Sequence, residues 1–387
     1  MAEPRRARRG VTVVFFVYGA VLATWVSRIP LIKQNLGLDT AQLSVALLGS
    51  PVGLIVATQL VSGLVGRFTS ATVTRWGVVA ASAAMVLPSL AWNLGSLAAA
   101  LFVLGMALGS LDIAMNTQGV AIERGYARPI MSGIHGMYSV GVLAGALAGS
   151  LAAHAGVDPR IHFAVAAAVL AALGAAAAGS LLGAEADAAA DHHEDARVAP
   201  RLAHHPALVA LGAIAFCCLF AEGAVDDWSG VYLHEGQGAS LGLAPLGAAA
   251  CGIGMAIGRF GGDAVIARYG RPATLWRAAL IAGAGMTLAV LAPGPGVAIA
   301  GYAVLGLGVA TIVPIAFTLG GTAEGVPPAW AISRVTMLGY AGLFSSPPAI
   351  GLVAQVTGLA AALAIPAVLL VLVAPLSRFT TGRRARA

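Results

Sequence analysis

The chain has 387 residues, of which 59% are hydrophobic and only 10% charged, with a formal net charge of +6 and a mean hydropathy of +0.87. A soluble globular chain is about 25% charged, so this composition excludes a soluble domain and indicates repeated crossing of a lipid bilayer. Arg sits at the ends and in the loops of the apolar runs, so the positive balance is not a nucleic-acid footprint.

Apolar runs long enough for ~30 Å of hydrocarbon are predicted over 11–31, 41–65, 77–94, 96–121, 130–153, 161–183, 207–233, 239–260, 273–292, 297–321, 329–353 and 358–376. The fold class is therefore all-α, a polytopic membrane protein with twelve transmembrane helices. The basic start followed by Val11–Val26 imitates a signal peptide. It lacks a small-residue cleavage site and is read as a retained first helix. The long polar segment 184–206 is a cytoplasmic linker that carries Glu185, Asp187, Asp191, Glu194, Asp195, Arg197 and Arg201. It divides the chain into an N-terminal half, 1–183, and a C-terminal half, 207–387. Nineteen of the 22 cations fall in segments on one side. By the positive-inside rule, both termini are cytoplasmic. Cys217, Cys218 and Cys251 stand in apolar runs at no metal spacing and are read as free, buried thiols. The His192-His193 and His204-His205 pairs are read as solvated loop residues, so no metal site is expected.

The halves repeat. Val103–Glu123 matches Val304–Glu324 at an offset of 201, with Val103/Val304, Leu104/Leu305, Gly105/Gly306, Thr117/Thr318, Gly119/Gly320 and Glu123/Glu324 identical. Gly141 meets Gly342 at the same offset, and Arg75-Trp76-Gly77 is similar to Arg268-Tyr269-Gly270. Gly141, Gly145 and Gly149 give the small-xxx-small spacing of close helix packing. Pro314 and Pro347-Pro348 are expected to kink their helices.

Two parallel six-helix repeats about a cytoplasmic linker resemble the major facilitator superfamily over nearly the whole chain. Gly258-Arg259-Phe260-Gly261-Gly262-Asp263 with Arg268-Tyr269-Gly270-Arg271 resembles the second-half copy of its loop motif, though the Asp comes early. The first-half copy, Gly63-Leu64-Val65-Gly66-Arg67, has lost its Asp. Ser27-Arg28-Ile29-Pro30, Met115–Val120, Met131–His135 and Glu222–Ser229 are most similar to uncharacterised bacterial inner-membrane permeases related to the fucose permease branch. The resemblance implies transport in the bacterial plasma membrane, with the first, fourth, seventh and tenth helices lining a cavity. It also implies that Asp263, with Arg259 and Arg268, braces an inner gate, and its contact is expected near Pro129–Ser132. Against drug antiport, Met115 stands where such antiporters carry Arg, and the fifth helix lacks their Gly-Pro.

A carboxylate deep in an apolar helix costs several kcal/mol unless answered, so each one is a functional candidate. Glu222, Asp226 and Ser229 share one face of the seventh helix, about 15 residues or ~22 Å into its apolar run. Asp227 points away, and solvation at a helix end is the competing reading, more so for Asp227. Asp112 and Asn116 lie on one stripe of the fourth helix with Gln118 beside it. Their repeat partners, Val313 and Phe317, are apolar, so the fold does not require them. Asp112 and His135 reach similar depths on neighbouring helices and are expected within hydrogen-bond reach, directly or through one water, in at least one state, as a proton relay or as a static helix–helix bond. Tyr18, Trp25, Tyr138 and Trp228 are read either as sugar-stacking platforms or as interfacial anchors. Arg28 and Asp226 fall at one level, so an outer gate pairing Arg28 with Asp226, or failing that with Asp227, is expected in the inward-open state. Snorkelling to lipid is the alternative.

These residues favour a secondary active transporter of a small polar solute, a sugar or related metabolite, coupled to protons and working by alternating access. The partners are solute, protons and lipid, with a monomer expected, no nucleic acid and no cofactor. Efflux of a drug-like compound and a transporter-like sensor without flux are the alternatives. No HExxH, nucleotide loop or nucleophile–base set speaks for an enzyme.

Overall fold

The computed structural model describes residues 2–126, 130–183, 202, 205–323 and 326–379, and among these no strand occurs. The helices in chain order are α1 (Ala2–Val26), α2 (Ile29–Asn35), α3 (Thr40–Leu47), α4 (Gly49–Phe68), α5 (Ser70–Ala84), α6 (Leu94–Arg124), α7 (Met131–His154) and α8 (Pro159–Ala178). They continue with α9 (Pro206–Val231), α10 (Leu246–Tyr269), α11 (Arg271–Val290), α12 (Pro295–Val309), α13 (Ile312–Gly321), α14 (Pro328–Thr357), α15 (Leu359–Ala362) and α16 (Ala364–Leu376). Eleven helical stretches among the described residues are long and apolar enough to cross a membrane. α10, at 24 residues, has the length of a twelfth. The chain folds as two compact units, Met1–Glu194 with Ser240–Pro245, and Asp195–Ala239 with Leu246–Ala387.

Close backbone contact builds each unit. In the first, a methyl group at Gly141 of α7 would overlap the Phe16 carbonyl of α1, and one at Gly149 would overlap the Ser27 hydroxyl. The 141/145/149 spacing is therefore the α1–α7 seam, as its sequence pattern requires. In the second unit, Gly342 of α14 meets the Phe216 carbonyl of α9 in the same way. Gly105 of α6 lies on the Ser50 carbonyl, and Gly306 of α12 lies on the Cys251 carbonyl. The Gly141/Gly342, Gly105/Gly306 and Ser50/Cys251 pairs carry the 201 offset into three dimensions.

Three boundaries differ from the sequence expectation. The first span breaks at Ser27–Arg28, because Pro30 cannot donate to the Val26 carbonyl. The second and third spans are joined by one residue, Thr69, at φ 72°. α10 likewise runs on to Tyr269 and turns at Gly270, φ 76°. Arg259 is therefore not in a loop. It sits 10 residues, or ~15 Å, inside α10. The extension holds because Gly258 and Gly262 let α10 press against Leu307, Ala310 and Thr311. Of the expected kinks, the tenth span does part, at Ala310–Thr311, where residue 314 is proline. α14 carries Pro347 and Pro348 inside one uninterrupted helix.

Candidate solute and proton pathway

In the second unit α9 turns its acids two ways. Ser229 packs on Gly247 of α10, so the Glu222–Asp226–Ser229 stripe borders α10. Cys251 and Arg259 of that helix lie in electrostatic reach of Glu222. The Cys218 thiol, one turn below, donates to Glu222 Oε1 at 3.5 Å. Gly223 faces α14 instead, against Leu343 and Ser346, and Asp227 follows it by one turn on the same face. All three carboxylates remain half-buried, neither sealed nor fully solvated. All three cysteines are free and buried.

In the first unit Asn116 Nδ2 donates to Asp112 Oδ1 at 3.1 Å and to the Asp112 carbonyl at 2.8 Å. His135 Nδ1 lies 3.0 Å from the Met131 carbonyl, and its ring stands edge-on to Phe15 of α1 at 4.8 Å. Asp112 thus takes its side-chain hydrogen bond from its own helix, and the expected Asp112–His135 bond is not formed in this structure. Tyr18 and Tyr138 lie 5.8 Å apart, ring to ring, and both are half-buried.

Several expected residues have other employment. Gln118 is fully buried. Its amide donates to Ser70 Oγ and the Leu182 carbonyl and accepts from Leu182 N–H. It is a clamp between α5, α6 and the end of the sixth span, not a lining residue. Trp25 is 4% exposed and Trp228 0%, so neither ring offers a face to a solute or to the bilayer interface. Arg28 is 1% exposed. Its Nε donates to His162 Nδ1 at 3.3 Å and its NH2 to the Val157 carbonyl at 3.1 Å. It does not snorkel to lipid, and the two hydrogen bonds go to residues of its own unit. The side chain of Asp263 lies outside the described residues, as do those of Pro129 and Ser132, His192, His193 and His204, and most of the linker. The helix end expected to receive Asp263 already holds an anion. Ile130 N–H and Met131 N–H both donate to Glu123 Oε2, at 2.6 and 2.9 Å. Arg268 stacks over Tyr269, 5.3 Å from the ring centroid.

Sequence reasoning missed His162 and the role of Glu123. Glu123 was visible as an acid seven residues before a helix start. His162, 134 residues from Arg28, carried no such local signal.

The sequence pattern of the Major Facilitator Superfamily matches residues 11–323. The chain belongs to the Major Facilitator Superfamily. It is 32% identical over 367 residues to an uncharacterised MFS-type transporter of Yersinia pestis, covering 95% of this chain and 94% of that one. It is 30% identical to the membrane protein MosC of Rhizobium meliloti over 90% of this chain and 84% of MosC. Among solved structures it resembles a variant of the nucleoside transporter NupG at a TM-score of 0.79 and 11% identity, over 97% of this chain and 99% of that one. It also resembles a variant of the E. coli fucose:proton symporter FucP at a TM-score of 0.62 and 18% identity, over 97% and 98%. At those identities the likeness is one of fold. The chain is thus a multi-pass membrane transporter of this superfamily, its helices in two halves.

Proposed function

We propose that this member of the superfamily is a secondary active transporter of a small polar solute, a sugar or related metabolite. Its place is the bacterial plasma membrane with both termini cytoplasmic, and it works by alternating access with proton coupling. One observation carries the reading: half-buried carboxylates stand at membrane depth where the repeat does not need them. At the offset of 200 that relates Phe16 to Phe216, Glu222 and Asp226 correspond to Leu22 and Val26. A charge kept in such a place without a fold requirement is retained for chemistry. Glu222, with Cys218 donating to it and Arg259 in reach, and Asp226 are the proton and solute carriers of the second half. Asp112, held by Asn116, is their counterpart in the first.

The fucose:proton symporter and the nucleoside transporter among the fold neighbours support polyhydroxylated solutes as the first candidates. The test is flux in proteoliposomes with an imposed inward proton gradient, using L-fucose, D-glucose and uridine as probes. Gradient-driven accumulation of one probe, lost in Glu222→Gln, supports the reading. Binding without accumulation moves the protein to the sensor class.

A further inference from the structure

We infer that α9 and α14 form a site for a small monovalent cation, sodium by its chemistry, built from the Asp227 carboxylate, the Ser346 hydroxyl and the main-chain carbonyls freed by Pro347 and Pro348.

The starting point is a surplus of acceptors. Pro347 and Pro348 lie inside α14 and have no N–H, so the Leu343 and Phe344 carbonyls cannot receive the usual helical bond. The Ser346 hydroxyl is 0% exposed and has no hydrogen-bond partner among the described residues. Gly223 of α9 lies against Leu343 and Ser346 of this set. A Cβ there would lie 3.2 Å from the Leu343 carbonyl oxygen and 3.3 Å from Ser346 Cβ. Asp227 follows Gly223 by one helical turn on that face. No hydrogen bond reaches its carboxylate among the described residues.

Neither helix of the site answers this set with a positive charge. α9 contains no Lys or Arg. Arg334, the one cation of α14, is 12 residues or ~18 Å away along the helix. Arg259 of α10 acts on Glu222, on the other side of α9. A proton on Asp227 would satisfy a single acceptor. A hard cation takes several oxygens at once and prefers carboxylate, carbonyl and hydroxyl donors. One carboxylate in the set suits a monovalent ion better than a divalent one. Main-chain carbonyls without a helical hydrogen bond are a recurrent part of sodium sites in membrane transporters, and in α14 the two prolines release them without breaking the helix.

The repeat supplies the comparison. The first-half positions matching Leu343, Ser346, Pro347 and Pro348 are Val142, Gly145, Ala146 and Leu147, and Asp227 corresponds to Ser27. There the Ser27 hydroxyl donates to the Thr24 carbonyl, and α7, the counterpart of α14, contains no proline. The second-half site is therefore an addition to the fold.

Asp227 faces α14 while the proton and solute groups face α10, although Asp226 lies in electrostatic reach of it, and cation binding can be tested without a solute. Purified full-length protein is unfolded thermally in NaCl, KCl or choline chloride at constant ionic strength. A ligand of the folded state raises the midpoint saturably. The expected result is a saturable rise in sodium, absent in choline, with Asp227→Asn and Ser346→Ala each weakening the apparent sodium affinity at least about tenfold. Ser346→Ala keeps the test decisive if Asp227→Asn does not fold, and binding of radioactive sodium to wild type is the second readout. No sodium-specific rise overturns the inference, as does an undiminished rise in the folded variants. A midpoint that follows pH alone makes Asp227 a proton site instead and overturns it too.

Discussion

The two units share their seams and differ in their chemistry. Gly53 of α4 lies on the Phe102 carbonyl in the first and Gly254 of α10 on the Ala303 carbonyl in the second, each 201 residues apart. At these contacts the repeat is kept to the residue. Where side chains face inward it is not. Asp112 stands against Val313, and Arg28 against Trp228, both of the latter deeply buried. α6 runs unbroken for 31 residues, whereas the tenth span parts between α12 and α13. The first half thus presents a carboxylate side chain on its fourth span, and the second presents an interrupted backbone in the same slot. The difference teaches that glycine contacts hold the shared fold, while polar groups were placed one at a time.

The comparison breaks most visibly at the seams. Gly141→Val and Gly342→Val should each cost ~3 kcal/mol or more, because backbone carbonyls cannot retreat as side chains do. Loss of monodisperse protein in size-exclusion chromatography is the expected readout, similar for both. Gly133→Ala, with open space around its Cβ, should be near neutral. A mild effect at one seam glycine alone would end the equivalence of the halves.

Next comes Gln118, whose clamp belongs to the first half alone: its match at 319 is Leu. Gln118→Leu should lower stability by about 2–3 kcal/mol, since it removes the three hydrogen bonds of a fully buried amide. The thermal midpoint falls while substrate affinity of the remaining folded protein stays unchanged. Asp226→Asn should leave folding intact but reduce proton-driven flux about tenfold, equivalent to ~1.4 kcal/mol of barrier. Counterflow measured without a gradient should fall less. The smallest effect sharpens the contrast of the fourth and tenth spans. Pro314→Ala restores a donor to the Ala310 carbonyl and should raise the thermal midpoint by a few degrees. Flux should slow if the break works as a hinge.

Helix positions were legible because each crossing needs ~20 apolar residues, whatever its neighbours are. The α1–α7 seam was legible because Gly141, Gly145 and Gly149 mark one face by spacing alone. The loops were misjudged around Arg67 and Arg259, since an Arg near a span reads as its end. Yet a long side chain inside a helix is stable when an acid lies in reach, as Glu222 does for Arg259. Arg28 was legible as a charge that needs an answer, but His162, 134 residues away, was not legible as its neighbour. Depth along an axis follows from counting residues, but azimuth and partner do not.

The sequence by itself determined the number of spans, the repeat and the rarity of charge in the interior. These follow from one-dimensional quantities: run length, spacing and composition. The tertiary structure decided which groups answer one another: His162 for Arg28, Glu123 for the start of α7, Ser70 and Leu182 for Gln118, and α10 rather than α14 for Glu222. Hydrogen bonds act within about 3 Å, and residues that near in space stand as far apart in the chain as Arg28 and His162.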